Sequence, residues 1–328
     1  MSSTSHQILD MSDNTIEISS KGKWIRVPAL ALDGKSLVVK GRWMKVASIH
    51  DEAWLETETK NPDDCVKRLR AARESGFGAD LFTFTQKPSM TTPQYGYPVE
   101  YDSIAAIRFA SFKEWWEGLP QETRKNVRRS QKRGVTVSVK NFDDELLKGI
   151  KDVNDDSPTR QGERNYYYGR SLEQLRKDYS AFLDRSDFIC ACLGEEMVGF
   201  VKVVYRGDVA SILNITVKPS HSDKRPANAL IAKAVELCDA KGMRCLTYGL
   251  YNYGNKQDSP LREFKTRNGF EEVLTPRFYV PLTKWGQLCL KLKLHRGLLG
   301  ILPHSTITKL LSARAKVQSF RQHFNEPV

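Results

Sequence analysis

Two stretches of the chain are rich in tyrosine, and the first adds arginines at a density that a buried core would not tolerate. The first, DDSPTRQGERNYYYGRS, holds Arg160, Gln161, Arg164 and the run Tyr166, Tyr167, Tyr168. The second, YGLYNYGNKQDSP, holds Tyr248, Tyr251 and Tyr253. Burying so many polar groups without partners is costly, so both read as surface loops. Arginine offers forked donors to a carboxylate or phosphate, and tyrosine offers a flat face with a polar tip. Together the loops are expected to line one cleft for an acceptor substrate; packing of helix against sheet is the other use of the tyrosines. Asp155, Asp156, Glu163 and His221 are the groups placed to take a proton from such a substrate. Their types do not choose among them, and Asp156 is carried forward as the candidate base.

Phosphate recognition is the second chemistry the residues offer. The formal charge is +12, and residues 281–328 hold eight Lys/Arg against one acidic residue. In LPQETRKNVRRSQKRG, Arg124, Arg128 and Lys132 recur at every fourth position beside the row Lys125, Arg129, Arg133. Such adjacent rows are either solvated or neutralised by an anion. ITVKPSHSDKRPANALIAKAVELCDAKG reads as strand, loop and helix, a corner that binds phosphate through free helix N–H groups. Its loop has no glycine, so Lys224 and Arg225 would supply charge in place of a backbone nest. The six cysteines form no CxxC and have no histidine at zinc spacing. They are expected to be reduced thiols in the core, and no metal site is expected.

The elements that must position these residues follow from periodicity and punctuation. KWIRVPALALDGKSLVVKGRWMKVASIH alternates apolar and polar residues around LDGKS, a hairpin. Asn61-Pro62 opens a helix that Gly76 closes, and Pro120 opens the basic helix that Gly134 ends. The turns GEE and RGD make Asp187 to Val217 an antiparallel meander. The helix from Pro226 buries Leu230, Ile231, Ala234, Val235 and Cys238 as one stripe and crosses to the strand RCLTYGL. LREFKTRNGF, a helix, and EEVLTPRFYVPL, a strand, complete the body.

This order resembles the GNAT acyltransferase fold, a mixed α/β sheet with an antiparallel meander, splayed strands and flanking helices. LPQETRKNVRRSQKRGVTV, RPANALIAKAVELCDAKGMRCLTYG and LREFKTRNGFEEV are similar to segments of its FemAB-like branch, over roughly Tyr101 to Thr283. The resemblance implies an acyltransferase in which an amine attacks an activated carbonyl directly. A backbone N–H near Asn214, Ile215 or Thr216 would polarise that carbonyl, in a gap between splayed strands. It implies an acyl-CoA donor, or aminoacyl-tRNA as in some relatives, held by Val217, Ser222, Lys224, Arg225, Ala227 and Asn228. The Gln/Arg-x-x-Gly-x-Gly/Ala loop of acyl-CoA users maps onto Ser222, Arg225 and Ala227, and only the last conforms. Lys265 stands where many members carry a catalytic tyrosine.

The expected organisation is a disordered stretch over 1–20, an α/β region over 21–110 as a degenerate second GNAT-like half, a catalytic domain over 111–283 and a basic helical tail over 284–328. The polar N-terminus and the lack of a long apolar run point to a cytoplasmic protein. The basic helix 120–133 and the tail suggest tRNA or an anionic membrane surface as a further partner. Two alternatives stand beside the enzyme: a non-catalytic RNA-binding module and a membrane-peripheral module on the same scaffold.

Overall fold

The computed structural model describes residues 15–20, 22–32, 35–52, 61–74, 77–160, 163–252 and 259–296. Among them the chain builds one 12-stranded sheet. A meander of β1 (Thr15–Ser20), β2 (Lys23–Leu32), β3 (Lys35–Lys40) and β4 (Val46–Ile49) leads through α1 (Pro62–Ala72) to β5 (Leu81–Thr85). Then come β6 (Val99–Arg108), α2 (Phe112–Gly118), α3 (Gln121–Lys132), β7 (Val135–Lys140) and α4 (Asp144–Asp155). A short hairpin of β8 (Thr159–Arg160) and β9 (Glu163–Arg164) precedes α5 (Leu172–Tyr179). The second meander is β10 (Ser186–Leu193), β11 (Glu196–Arg206) and β12 (Val209–Val217). It continues through α6 (Pro226–Ala240), β13 (Cys245–Leu250), α7 (Pro260–Arg267), β14 (Glu271–Pro281) and α8 (Lys284–Lys291). The spatial order is β1-β2-β3-β4-β5-β14-β6-β13-β12-β11-β10-β7.

Local chemistry sets the helix starts. The side chains of Asn61, Ser111, Asp143, Ser259 and Thr283 each accept a hydrogen bond from a first-turn N–H, and Ser171 with Gln174 forms a reciprocal capping box. α6 is buried along Ala229, Leu230, Ile231, Ala234, Val235 and Cys238, as its stripe predicts. It packs in one core with Ile189, Val201, Val203 and Leu246 from the sheet. A separate core under α1 joins Cys65, Val66 and Leu69 to Phe82, Phe84 and Phe278.

The sheet contains two parallel pairs, each joined by a helical crossover and each short. β4 meets β5 from Val46/Leu81 to Ser48/Thr83, and β12 meets β13 from Val209/Cys245 to Ser211/Thr247. Beyond Ser48/Thr83 the opening is filled. Thr85 N–H donates to the Glu52 carboxylate (2.7 Å), and Arg277 joins Glu52 (3.5 Å) and Asp102 (2.6 Å). Burial, outweighing Arg277, pushes the Glu52 carboxyl up to about 7. β6 and β14 lie between the two pairs, locking the two regions into one sheet.

The N-terminal stretch expected to lack order contains β1, which is paired along its length with β2; residues 1–14 lie outside the described residues. Of the basic tail, 284–296 is described and folds back on β14, while 297–328 lies outside. No helix among the described residues is long and apolar enough to cross a membrane.

Candidate active site

The ladder between β12 and β13 stops at Ser211/Thr247, where the two hydroxyls hydrogen-bond (2.6 Å), yet β12 runs on to Val217 and β13 to Leu250. The strands part there and leave a wedge. Leu213 has no partner on β11, because Lys202 faces Asn214 and Val203 faces Ile212. This bulge re-aims the strand. Further along, Lys218 N–H bonds Val198 O (2.9 Å). Antiparallel bonding alternates, so Phe200/Thr216 is the next bonded pair, and Ile215 and Val217 turn their N–H and C=O away from β11. Two main-chain N–H groups thus face the wedge, which is what a developing oxyanion needs.

Cations meet the carbonyls of the parted strands on both sides. Arg160 donates to Ile215 O (2.9 Å) and to Thr216 Oγ1 (3.0 Å). Among the described residues no carboxylate lies within ion-pair distance of it. Beside it, Tyr167 shares a hydrogen bond with Asn214 and packs on the ring of Tyr179 (5.4 Å); burial pushes its hydroxyl up. On the other strand, Gly249 takes φ +55°, and Lys265 donates to the flanking carbonyls of Tyr248 (2.7 Å) and Leu250 (2.6 Å). The Lys265 side chain is fully buried below the Tyr248 ring (4.3 Å), and burial lowers its ammonium to about 8. An ammonium bonded to two carbonyls holds the end of a strand that has lost its neighbour.

The corner before α6 is cationic but strained. A 3₁₀ turn over Pro219–Lys224 ends at Arg225, which adopts φ +58°. That conformation favours glycine, so the residue standing in the glycine slot keeps glycine's backbone. Ser222 accepts the Arg225 N–H through its carbonyl (3.2 Å), and Lys224 pairs with Asp223 (3.6 Å). Ala227 is half-buried, and Asn228 bonds the side chain of buried Asn268 (3.0 Å). α3 packs on α6 with Thr123, Val127 and Ser130 buried, Thr123 bonds Arg267 O (2.7 Å), and Arg133, just past the end of α3, bonds Asp223 O. Lys125, Arg128, Arg129 and Lys132 remain exposed next to this corner.

The candidate base is engaged in this loop: Asp156 accepts from Ser220 N–H (3.1 Å) and Ser220 Oγ (2.8 Å). Asp155 binds Lys151 (2.5 Å) and Gly169 N–H (2.8 Å), and His221 lies 3.5 Å from Glu196. Tyr251 is a packing residue, buried with its hydroxyl on Thr266 (2.8 Å). Arg164, Tyr166 and Tyr168 are exposed, whereas Gln161 and Tyr253 lie outside the described residues. Sequence reasoning missed Lys202, fully buried and lowered to about 8 by burial, whose ammonium closes the end of α5 on Tyr179 O (2.7 Å). It also missed the β1–β2 hairpin as a wall of this region. Trp24 bonds Asp178 (2.8 Å) and Lys177 bonds Glu17 (2.9 Å), while Arg170 reaches Gly22 O. An alternating strand carries no signal for where its tip will dock.

The cysteines are thiols, buried except for half-buried Cys192; burial raises Cys190 and Cys238 to about 12. No group of three metal-capable side chains occurs among the described residues.

Residues 121–265 match the family model described as an acetyltransferase (GNAT) domain. The fold is similar to that of FemX (13% identity, 76% of this chain and 86% of that one, TM-score 0.52). It is similar too to the C-terminal domain of a putative lysylphosphatidylglycerol synthetase from Agrobacterium fabrum (14%, 81% and 87%, TM-score 0.54). A third likeness is to L-PGS from Bacillus licheniformis (18%, 77% and 83%, TM-score 0.50). No curated protein matches the chain by sequence. Residues 121–265 thus match a GNAT acetyltransferase domain, and the fold is similar to that of FemX and of the L-PGS domains.

Proposed function

We propose that the protein transfers an acyl or aminoacyl group from a phosphate-bearing donor to an amine, by direct attack in the wedge between β12 and β13. The observation that carries this reading is the parting of the two strands after Ser211/Thr247, with main-chain groups of Ile215 and Val217 facing the gap. The amine nitrogen bonds to the carbonyl carbon while the carbonyl oxygen gathers charge at the Ile215 N–H. The bond to the donor sulfur or ribose oxygen then breaks, and the leaving group takes a proton from water. The proton on the attacking nitrogen goes to Asp156, the acid that also fixes the Ser220 loop. Lys265 is a positioning residue, its protons committed to two carbonyls. Arg160 and Tyr167 line the acceptor side, and a half-buried guanidinium there favours an acceptor bearing a carboxylate or phosphate.

Acyl-CoA is the donor in the first reading, held by Ser222, Lys224, Arg225, Ala227 and Asn228. The exposed basic face of α3 beside that corner favours a second reading, in which the donor is aminoacyl-tRNA. Incubation of the full chain with both donors and a panel of amino acids and amino lipids, read by mass spectrometry, tests them. An acylated amine from one donor identifies the carrier. Absence of product together with absence of binding to either donor overturns the proposal.

A further inference from the structure

α8 is fixed to the sheet by one face and leaves the other bare. Gly286, Cys289 and half-buried Leu290 pack toward Met44 and Leu81. A Cβ on Gly286 would stand 1.9 Å from Asp80 O, so the helix is pressed against the start of β5. On the opposite face Trp285, Leu288 and Leu292 recur at i, i+3 and i+7 and are 43%, 44% and 53% exposed. Trp43, on the turn before β4, is 60% exposed and meets Trp285 edge to face (6.4 Å). The Trp285 indole N–H donates to Trp43 O (3.1 Å), so its polar atom is satisfied while both rings stay in solvent. Isolated exposed leucines need no explanation, but two tryptophans and two leucines in one patch do.

The rim says what covers it. Segments 41–46 and 282–296 hold six Lys/Arg and no acid, and of these Arg296 is paired with Glu100 (2.8 Å). The neighbouring Asp80 is half-buried and accepts hydrogen bonds from Lys45 N–H (2.8 Å) and Thr283 Oγ1 (3.1 Å). Exposed Lys284 and Lys291 flank the apolar stripe along one side. Tryptophan beside lysine, with a rigid apolar face between, suits the headgroup level of a bilayer. A second copy of the same face would bring two positive rims together and repel. The position also suits an interface. β13 and β14 both run antiparallel to β6, so their C-terminal ends share one end of the sheet. α8 follows β14 there, at the end where the β12–β13 wedge opens.

We propose that the Trp43–Trp285–Leu288–Leu292 patch docks this protein on an anionic lipid surface, with the wedge end of the sheet turned to that interface. The docking is independent of the transfer reaction and is measured without donor or acceptor.

The test is co-sedimentation of the full chain with vesicles of phosphatidylcholine alone or mixed equally with phosphatidylglycerol. Wild type is expected to bind the mixed vesicles and to be released by salt. L288Q/L292Q, which alters only exposed side chains, is expected to bind at least about tenfold more weakly with an unchanged melting temperature. K284Q/K291Q/K293Q is expected to lose about 100-fold and most of the salt dependence. Failure of wild type to bind overturns the proposal, and so does binding that both variants retain. If wild type stays off vesicles but dimerises with concentration, and L288Q/L292Q is monomeric, the patch is a contact between copies and the proposal is overturned.

Discussion

A main-chain N–H at Ile215 is the smallest unit of the account, and it can be removed without touching a side chain in the reaction. Ile215 sits at a non-bonded position of the β11–β12 ladder, so proline there deletes a wedge-facing donor and no ladder bond. Ile215→Pro is expected to lower transfer by about 100-fold, the usual loss for one oxyanion donor, while far-UV circular dichroism stays unchanged. Retained activity would move the oxyanion site elsewhere. In the proposed reaction Arg160 serves the acceptor rather than the carbonyl. R160Q should raise KM about 10- to 100-fold for acceptors that carry an acid, with kcat within a few-fold. An equal loss with neutral amines would make Arg160 a strut for Ile215 O instead.

At the scale of elements, the corner before α6 departs from the acyl-CoA loop pattern of the GNAT resemblance at Ser222 and Arg225. Arg225 holds φ +58° with no side-chain cap on α6. R225G relieves about 1 kcal/mol of left-handed strain, less the entropy glycine gains in the unfolded chain. The expected net is a rise of roughly one or two degrees in melting temperature. A fall would show that the arginine side chain braces the loop. The elements themselves were legible where their cause is local. The α6 stripe, the stop at Gly134 and the turns of the second meander all lie within a few residues of what they specify. The insertion of β6 between β13 and β14 was not legible, since it pairs residues more than 130 positions apart and no periodicity records a distant partner. The same holds for the site: the Arg160 loop was recognisable by composition, but its latch on Ile215 O is tertiary. Lys265 was picked out by its place in a motif, whereas its clamp on two carbonyls depends on the fold of β13.

For the whole molecule, two short parallel pairs sit in one sheet and only one opens. Beyond Ser48/Thr83 the opening is filled by Glu52 and Arg277. Glu52 titrates near 7 in the folded chain against 4.5 for an ordinary glutamate. The folded protein therefore holds an extra proton between those values, and this contribution to stability is full below 4.5 and is lost as pH rises through 7. Denaturation of E52Q against wild type should show near-equal stability at the acid end and a gain of about 3 kcal/mol for the variant above pH 7, Arg277 keeping Asp102. A variant weaker at every pH would show that the ionised pair is a net support. The opening filled by Glu52 and Arg277 and the one lined by Arg160 and Tyr167 divide the sheet into a bracing half and a half that carries the proposed site. The β1–β2 hairpin, bonded to α5 through Trp24 and Lys177, carries the bracing half back to the wall of the wedge. The most direct test of the wedge is the amide resonance of Ile215, followed by TROSY NMR. It is titrated with an acyl-CoA thioether and with a 3′-aminoacylamino-adenosine that mimics the end of a charged tRNA. The account predicts a saturable shift of the Ile215 and Val217 amides with one of the two. Saturating binding of either donor mimic that leaves both amides unmoved would contradict it.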